Sequence, residues 1–470
     1  IYEAEKPMPN SFGTNNAFRY PPLGLLYLIS NLPLNFKDLC IIIDADAENY
    51  SIDECVKKIL EISPDILGVS VFTITLYTIY KIIDEIKKIK NDIKIILGGP
   101  HVTIYSEETL KNKNVDYILT GLCENTFPKF IELFFETKSR GIEKNNFKDV
   151  PGLWYKTKDN KYIKPDIMFD NKWSVKNIKF PDRNLIKKNS YYTLSDNEPI
   201  TTMITSYGCP FKCTFCDVPI KKFIPREIDD LILEIKSILD IGIKQIHFMD
   251  DCFNLDRDRV IKFCNRIIDN KMDFKWSFRG RVKPCDKEMA DLLYKAGCRR
   301  VQLGIEATEQ EIIDLIRKNI KITDILEVLK IYKSSGIITL GYFIIGFPTQ
   351  TLEDCKISFK KMQQFGFDYI YMTKLVPYPK TIIYEQILEQ KLLDKDYWYD
   401  FILNPTPNYI LPNWHPYCSK DELNDLLIKN YRSFYISPKF ILKELKRTKS
   451  LNQLLKKIKV SLSLNFLKQN

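Results

Sequence analysis

At 470 residues, 45% hydrophobic and 28% charged, with no long low-complexity tract, the sequence specifies a folded chain of two or three domains and excludes a disordered or fibrous one. The formal charge of +10 comes from lysines spread along the chain and thickening only near its end, so it reads as a solvated surface and implies no nucleic-acid partner. No apolar run reaches the ~18 residues of a membrane-spanning helix, residues 1–20 carry no secretory signal, and twelve cysteines then point to a reducing compartment, the cytoplasm.

From residue 39 to 134 short β-branched runs alternate with helical patterns: strands at 40–44, 66–70, 93–98 and 115–120, helices near 52–62 and 76–89, and a third from Glu124. Strands separated by crossover helices predict a parallel sheet covered on both faces, an α/β Rossmann-like domain over 1–140. Ligands of such sheets lie beyond the carboxyl ends of the strands. The first candidate site is therefore the loops 44–46, 70–73, 98–102 and 121–125, and without a GxGxxG after a strand it does not suit a dinucleotide. Residues 141–199 lose the rhythm and read as a linker with a hairpin at 152–162. From Thr201 the alternation returns, with strands near 201–206, 245–249, 275–279, 300–305, 339–345 and 369–375. Six βα units predict a partial barrel over 200–380. The remainder, 381–470, predicts a third, helical piece, with amphipathic helices at 441–467. Its lysine-rich stretch 443–459 reads as a solvated helix face rather than a membrane contact, and the aromatic stretch 397–414 as core rather than pocket wall.

The sharpest motif is SYGCPFKCTFCDVP, which sets Cys209, Cys213 and Cys216 with three and two residues between them directly after the first barrel strand. Three thiolates on one tight loop can ligate three irons of a 4Fe-4S cube and leave the fourth open. Structural zinc takes four ligands, and no fourth Cys or His lies nearby in the sequence. The other nine cysteines have no such spacing and read as core. Strand periodicity puts Ser277, Arg279 and Arg281 on one face, with Trp276 and Phe278 on the other; it aligns Gln302, Gly304 and Glu306 in the same way. A polar row opposite an aromatic row suits a barrel interior.

These residues resemble the radical S-adenosylmethionine superfamily. The resemblance implies that S-adenosylmethionine chelates the open iron and yields a 5′-deoxyadenosyl radical. It further implies that Phe215 lies near the adenine and that Asp250 or Asp251 meets the methionyl ammonium. Ser277, Arg279, Gln302, Gly304 and Glu306 would line the methionine and ribose, and the backbone of Gly346 to Pro348 would approach the adenine. The segments RYPPLGLLYL at 19–28, LGGPHVT at 97–103, PDR at 181–183 and LVPYPKT at 375–381 extend the resemblance to the cobalamin-binding class of that superfamily. It implies cobalamin in the first half, with Gly98 and Gly99 admitting the macrocycle, Ser70, Thr73 and Thr103 bonding its amide arms, and His101, Val102, Gly121 and Glu124 completing the pocket. A domain that has lost its ligand is the alternative.

Two departures stand out. Asp44-Ala45-Asp46 has no histidine where Asp-x-His-x-x-Gly proteins supply one to cobalt, which argues against a lower histidine ligand; and the strand usually preceding the 19–28 segment is lacking, which a truncated start would explain. The reading that follows is a radical methyltransferase working at an unactivated carbon. One S-adenosylmethionine methylates the corrin and a second supplies the radical. A cyclase or rearrangement enzyme with the same cofactors is the runner-up, and a cobalamin sensor or scaffold the rival of another class. The expected partners are an external electron donor such as flavodoxin or ferredoxin and a small-molecule, lipid or peptide substrate.

Overall fold

Apolar periodicity and local capping explain the elements of the first half. Ser51 accepts from the Glu54 backbone while the Glu54 side chain accepts from the Ser51 backbone, a reciprocal cap that starts the helix Ile52–Ile62. In the helix Leu76–Ile89 the buried Leu76, Ile79, Ile82, Ile83 and Ile86 recur at three- and four-residue steps, so one stripe faces the sheet. A computed structural model describes residues 18–140, 145–157, 159, 161–168, 173–193 and 198–448. Among these, contacts divide the chain into two units, one of 21–190 with 396–411 and the other of 18–20, 191–395 and 412–448.

In the first unit, strands β1 (Ile66–Ser70), β2 (Lys94–Gly98) and β3 (Tyr117–Leu119) are parallel neighbours, extended antiparallel by β4 (Leu153–Lys156) and β5 (Tyr162–Ile163). Strand β2 is buried along Ile95, Ile96 and Leu97 because helices cover both faces, so it reads as a continuous apolar run. Tyr117, Phe130, Phe134, Phe147, Leu153 and Tyr155 share one core, which ties the helix Thr126–Arg140 to the sheet.

Two expectations are corrected here. Residues 40–44 form no strand: Ile41 is more than half exposed, and Asp44 turns the chain by accepting from the Ala47 and Glu48 amides. The hairpin expected at 152–162 is present as β4 with β5, and what changes is its place: it pairs with β3 and so extends the sheet rather than standing in a linker.

The second unit holds six parallel strands in sequential order: β6 (Ile200–Met203), β7 (Gln245–Phe248), β8 (Lys275–Gly280), β9 (Cys298–Glu306), β10 (Ile338–Ile345) and β11 (Tyr369–Lys374). Crossover helices Ile228–Asp240, Arg257–Asp269, Lys287–Lys295, Ile322–Ser334 and Leu352–Phe365 join them, the architecture of a partial barrel. Phe248, Trp276 and Phe278 face the helices with Phe253 and Phe263, and burying each such ring contributes about 2–3 kcal/mol. The alternate residues of the same strands therefore face the concave side.

The tail is also divided differently from the expectation of a separate helical piece. The helix Tyr397–Leu403 belongs to the first unit, where Trp398 and Phe401 pack on Tyr409 as core; the helices Lys420–Tyr435 and Pro438–Arg447 belong to the second. Tyr431 and Tyr435 stack, and each hydroxyl both donates to and accepts from the β11 backbone, at Met372 and Ile370. Two side chains thus replace a missing neighbour strand and close the sheet edge. The expected amphipathic stretch beyond 448 lies outside the described residues. No helix among the described residues is long and apolar enough to cross a membrane.

Candidate functional site

Because β1, β2 and β3 are parallel, the loops that follow them emerge on one rim, and the structure shows them interlocked there. Thr103 Oγ1 donates to the Gly99 carbonyl (3.1 Å) and accepts from the Gly121 amide (3.2 Å), while the Thr73 hydroxyl sits 3.0 Å from His101 Nδ1. The expected cobalamin residues are thereby brought together, but several are explained by the protein itself. Gly99, at φ +98°, is tight against Val71: an added Cβ would stand 2.9 Å from its amide nitrogen and 3.0 Å from Ser70 Oγ. Gly98, by contrast, would meet only ordinary contacts, and Gly121 takes φ +81°.

His101 is fully buried with both ring nitrogens taken, the second 3.1 Å from Thr109 Oγ1; burial holds its pKa down to about 4. A neutral imidazole pinned by two threonines braces the loops of this rim. Val102 is fully buried, and buried Glu124, its pKa raised by desolvation, accepts from Trp173 Nε1 at 3.2 Å. Ser70 and Gly98 remain half-buried at the rim.

The barrel's carboxyl rim carries the cysteine loop. The short antiparallel pair Ser206–Tyr207 with Ile224–Pro225 fixes its base, and the Cys209 amide donates to the Ile220 carbonyl at 2.9 Å. Gly208, at φ +76°, leaves no room for a side chain, since a Cβ would stand 2.2 Å from the Lys222 carbonyl and 2.6 Å from Ile220. Thr214 bridges outward, its amide donating to Ile316 and its carbonyl accepting from Ile383. All three thiols are free, Cys213 buried and Cys209 and Cys216 half-buried, and burial pushes the Cys216 thiol up. Among the described residues no three His, Cys, Asp or Glu side chains already stand as a metal cage. The donor set itself, three free thiols on one anchored loop at a parallel rim, fits a cluster with one open iron.

The two aspartates separate cleanly. Asp250 is buried and its oxygens are engaged by the Thr205 amide (2.6 Å), Thr205 Oγ1 (2.5 Å) and Ser206 Oγ (2.6 Å). Asp251 gives one oxygen to the Gly208 amide at 2.9 Å, one residue before Cys209. Desolvation raises both pKa values. Asp250 braces the loop, and Asp251 keeps acceptor capacity beside it.

Among the other expected residues, Glu306 does not stand alone. It takes φ +70° at a register shift in β9, and its Oε1 lies 2.7 Å from Lys318 Nζ, with the two side chains 10% and 9% exposed. Gly304 makes room for the pair, since a Cβ there would stand 2.5 Å from Glu306 Oε1. Lys318, which sequence periodicity could not single out because it lies in a loop, also sits 6.0 Å from the Phe215 ring centre. Arg281 donates to the Lys318 carbonyl and its guanidinium lies 3.7 Å over the Phe211 ring. Ser277 Oγ is 2.8 Å from His247 Nδ1, and Gln302 accepts from the Tyr342 hydroxyl at 2.6 Å.

The expected adenine approach at Gly346 to Pro348 is less open than the motif suggests. Gln350 Oε1 accepts from the Gly346 and Phe347 amides, His415 Nε2 is 2.9 Å from the Phe347 carbonyl, and a Cβ on Gly346 would meet Leu423 at 2.9 Å. What requires glycine here is φ +77° and a packed helix. Pro348 is half-buried.

Residues 203–362 match the model of the radical SAM superfamily, and residues 12–131 match that of the B12 binding domain. An uncharacterised methyltransferase of Pyrococcus horikoshii is 31% identical over 431 residues, 90% of each chain. The anaerobic magnesium-protoporphyrin IX monomethyl ester cyclase of Rubrivivax gelatinosus is 26% identical, covering 93% of this chain and 77% of that one. The solved structure of the cobalamin-dependent S-adenosylmethionine radical enzyme OxsB is similar at TM-score 0.68 and 17% identity, over 97% of this chain and 70% of that one. That of the radical methyltransferase TsrM from Kitasatospora setae is similar at 0.63 and 19%, over 80% and 75%. With an N-terminal B12 domain, a cysteine loop on a partial barrel and a relative matching over 90% of the chain, the protein belongs to the cobalamin-binding radical S-adenosylmethionine enzymes, whose cofactors are a 4Fe-4S cluster, S-adenosylmethionine and cobalamin.

Proposed function

We propose that the protein methylates an unactivated carbon of a small-molecule substrate, in the cytoplasm, drawing electrons from an external flavodoxin- or ferredoxin-like donor. The observation that carries the reading is the similarity, over 90% of the chain, to a protein named as an uncharacterised methyltransferase. When bound, the cofactors supply the 5′-deoxyadenosyl radical and the transferable methyl group.

The chain's own residues hold and orient them. Cys209, Cys213 and Cys216 ligate the cluster on a loop whose base is fixed by Gly208 and Asp250. Asp251 would hold the methionyl ammonium, because the oxygens of Asp250 are already engaged. Phe215 would hold the adenine, and Glu306 with Lys318 the ribose and methionine side. In the first unit, the rim formed by Ser70, Gly98, Thr103 and Gly121 carries the corrin.

Incubation of the anaerobically reconstituted protein with methyl-deuterated S-adenosylmethionine and a strong reductant tests this. Retained corrinoid, 5′-deoxyadenosine and S-adenosylhomocysteine together are expected. The similarity to the Rubrivivax cyclase supports a second reading, ring formation without methyl transfer. 5′-Deoxyadenosine without S-adenosylhomocysteine would select it, and failure to retain corrinoid would overturn both.

A further inference from the structure

Beside the residues expected to meet S-adenosylmethionine, the concave face of the barrel carries two buried polar groups with no such assignment, on His247 and Arg300. His247, Ser277 and Arg300 stand side by side in the strand register of β7, β8 and β9, and Arg279 and Gln302 form the next row toward the cysteine loop. His247 is fully buried, stacked on Tyr20 with ring centres 5.3 Å apart. Its Nδ1 meets Ser277, while its Nε2 has no hydrogen-bond partner. Nε of Arg279 and Nε of Arg300 are likewise buried without a partner. Leaving a buried polar group unsatisfied is unfavourable, more so for a charged one, so three on one face call for something else to meet them.

The neighbouring acids do not meet them. Glu306 is paired with Lys318, Glu444 is held by Tyr369 and Arg447, and Asp251, the carboxylate facing Arg279, bonds the Gly208 amide. Arg279 reaches the Tyr342 hydroxyl, and the Arg300 guanidinium lies 5.6 Å over the Tyr369 ring, so neither contact supplies a negative charge. The surplus of positive charge also acts on His247, whose pKa burial and both arginines hold down to about 3. The imidazole is therefore neutral, and its Nε2 adds a polar atom to the same face.

We infer that Arg300 and Arg279, with His247 beside them, form an oxyanion-binding subsite in the barrel, and that the substrate carries a carboxylate, phosphate or phosphonate group seated there. The inference rests on the radical-enzyme reading of this barrel. It gives substrate positioning a fixed end: an anion anchored by two guanidinium groups orients the carbon presented toward the cysteine loop. The carboxylate of S-adenosylmethionine has the same chemistry, and Arg279 lies one row closer to the loop than Arg300, so Arg300 is the residue that distinguishes the two sources.

The test uses the full-length reconstituted protein and inorganic phosphate as the probe, with phosphate and S-adenosylmethionine affinities measured separately by anaerobic calorimetry. Loss of a charge-assisted contact predicts that Arg300→Gln weakens phosphate binding at least about tenfold while leaving S-adenosylmethionine affinity within about twofold. Arg300→Lys, which keeps the charge, should recover most of the phosphate affinity and guards against a folding defect. Absence of phosphate binding to the wild type, or equal phosphate affinity in Arg300→Gln, would overturn the inference. So would competition between phosphate and S-adenosylmethionine with both weakened together, since the anion would then be the cofactor's own. Loss of cluster or corrinoid from the wild type is a separate failure, that of the underlying enzyme reading.

Discussion

Replacing Lys318 with Met should be among the most damaging single changes in the barrel. Lys318 Nζ and Glu306 Oε1 are 2.7 Å apart, with only 9% and 10% of the two side chains exposed, so solvent screens the pair little. Removing one partner leaves a buried charge uncompensated, which costs about 3–5 kcal/mol, whereas exchanging both for apolar residues of similar size is often near neutral. The Glu306→Leu/Lys318→Met double variant should therefore recover to within about 1 kcal/mol of the wild type. Urea unfolding of the apoprotein, followed by tryptophan fluorescence from buried Trp276, reads the difference as a shift in midpoint at constant slope. A Lys318→Met protein within about 1 kcal/mol of the wild type, or a double variant as unstable as the worse single one, would refute the buried-pair argument. S-Adenosylmethionine binding should fall in the double variant although stability returns, which separates the pair's place in the site from its place in the fold.

Three further outcomes follow from the same geometry. Gly208→Ala forces a Cβ to 2.2 Å from the Lys222 carbonyl at a positive φ, so the protein should fold yet fail to retain iron after reconstitution, and normal iron content would count against the loop description. Asp250→Asn should lower cluster retention by loosening the Thr205 and Ser206 bonds, whereas Asp251→Asn should keep the cluster and weaken S-adenosylmethionine by roughly tenfold or more; the reverse pattern, read by iron analysis and calorimetry, would exchange their roles. His101 has a folded pKa near 4 against 6.5 for the ordinary group, so the unfolded chain binds a proton that the folded one refuses. Its contribution is intact above about pH 6.5 and is lost as pH falls toward 4, up to roughly 3 kcal/mol. His101→Gln should flatten the stability profile in that window, and an unchanged slope would mean that the ring protonates without unfolding.

Much of this molecule is legible in one dimension because the deciding signals are local. Three cysteines within eight positions, strand alternation at 275–281 and 300–306, and crossover helices between strands each follow from short-range chemistry, and they located the barrel, its polar face and the cysteine loop. Residues 40–44 misled because β-branched composition favours a strand only where a neighbouring edge accepts it, and the hairpin at 152–162 was legible while the sheet edge it joins was not.

What only the tertiary structure decided is which polar groups are already satisfied. Asp250 and Asp251 are adjacent and chemically identical, yet Thr205 and Ser206 engage one while the other keeps capacity; Glu306 reads as an open contact until Lys318, from a loop twelve residues on, neutralises it. For His101, only the fold shows that Thr73 and Thr109 take both its nitrogens. Hydrogen-bond saturation and burial depend on partners distant in sequence, so residue type and spacing nominate the candidates, and the packing of the whole chain determines which of them are free to bind.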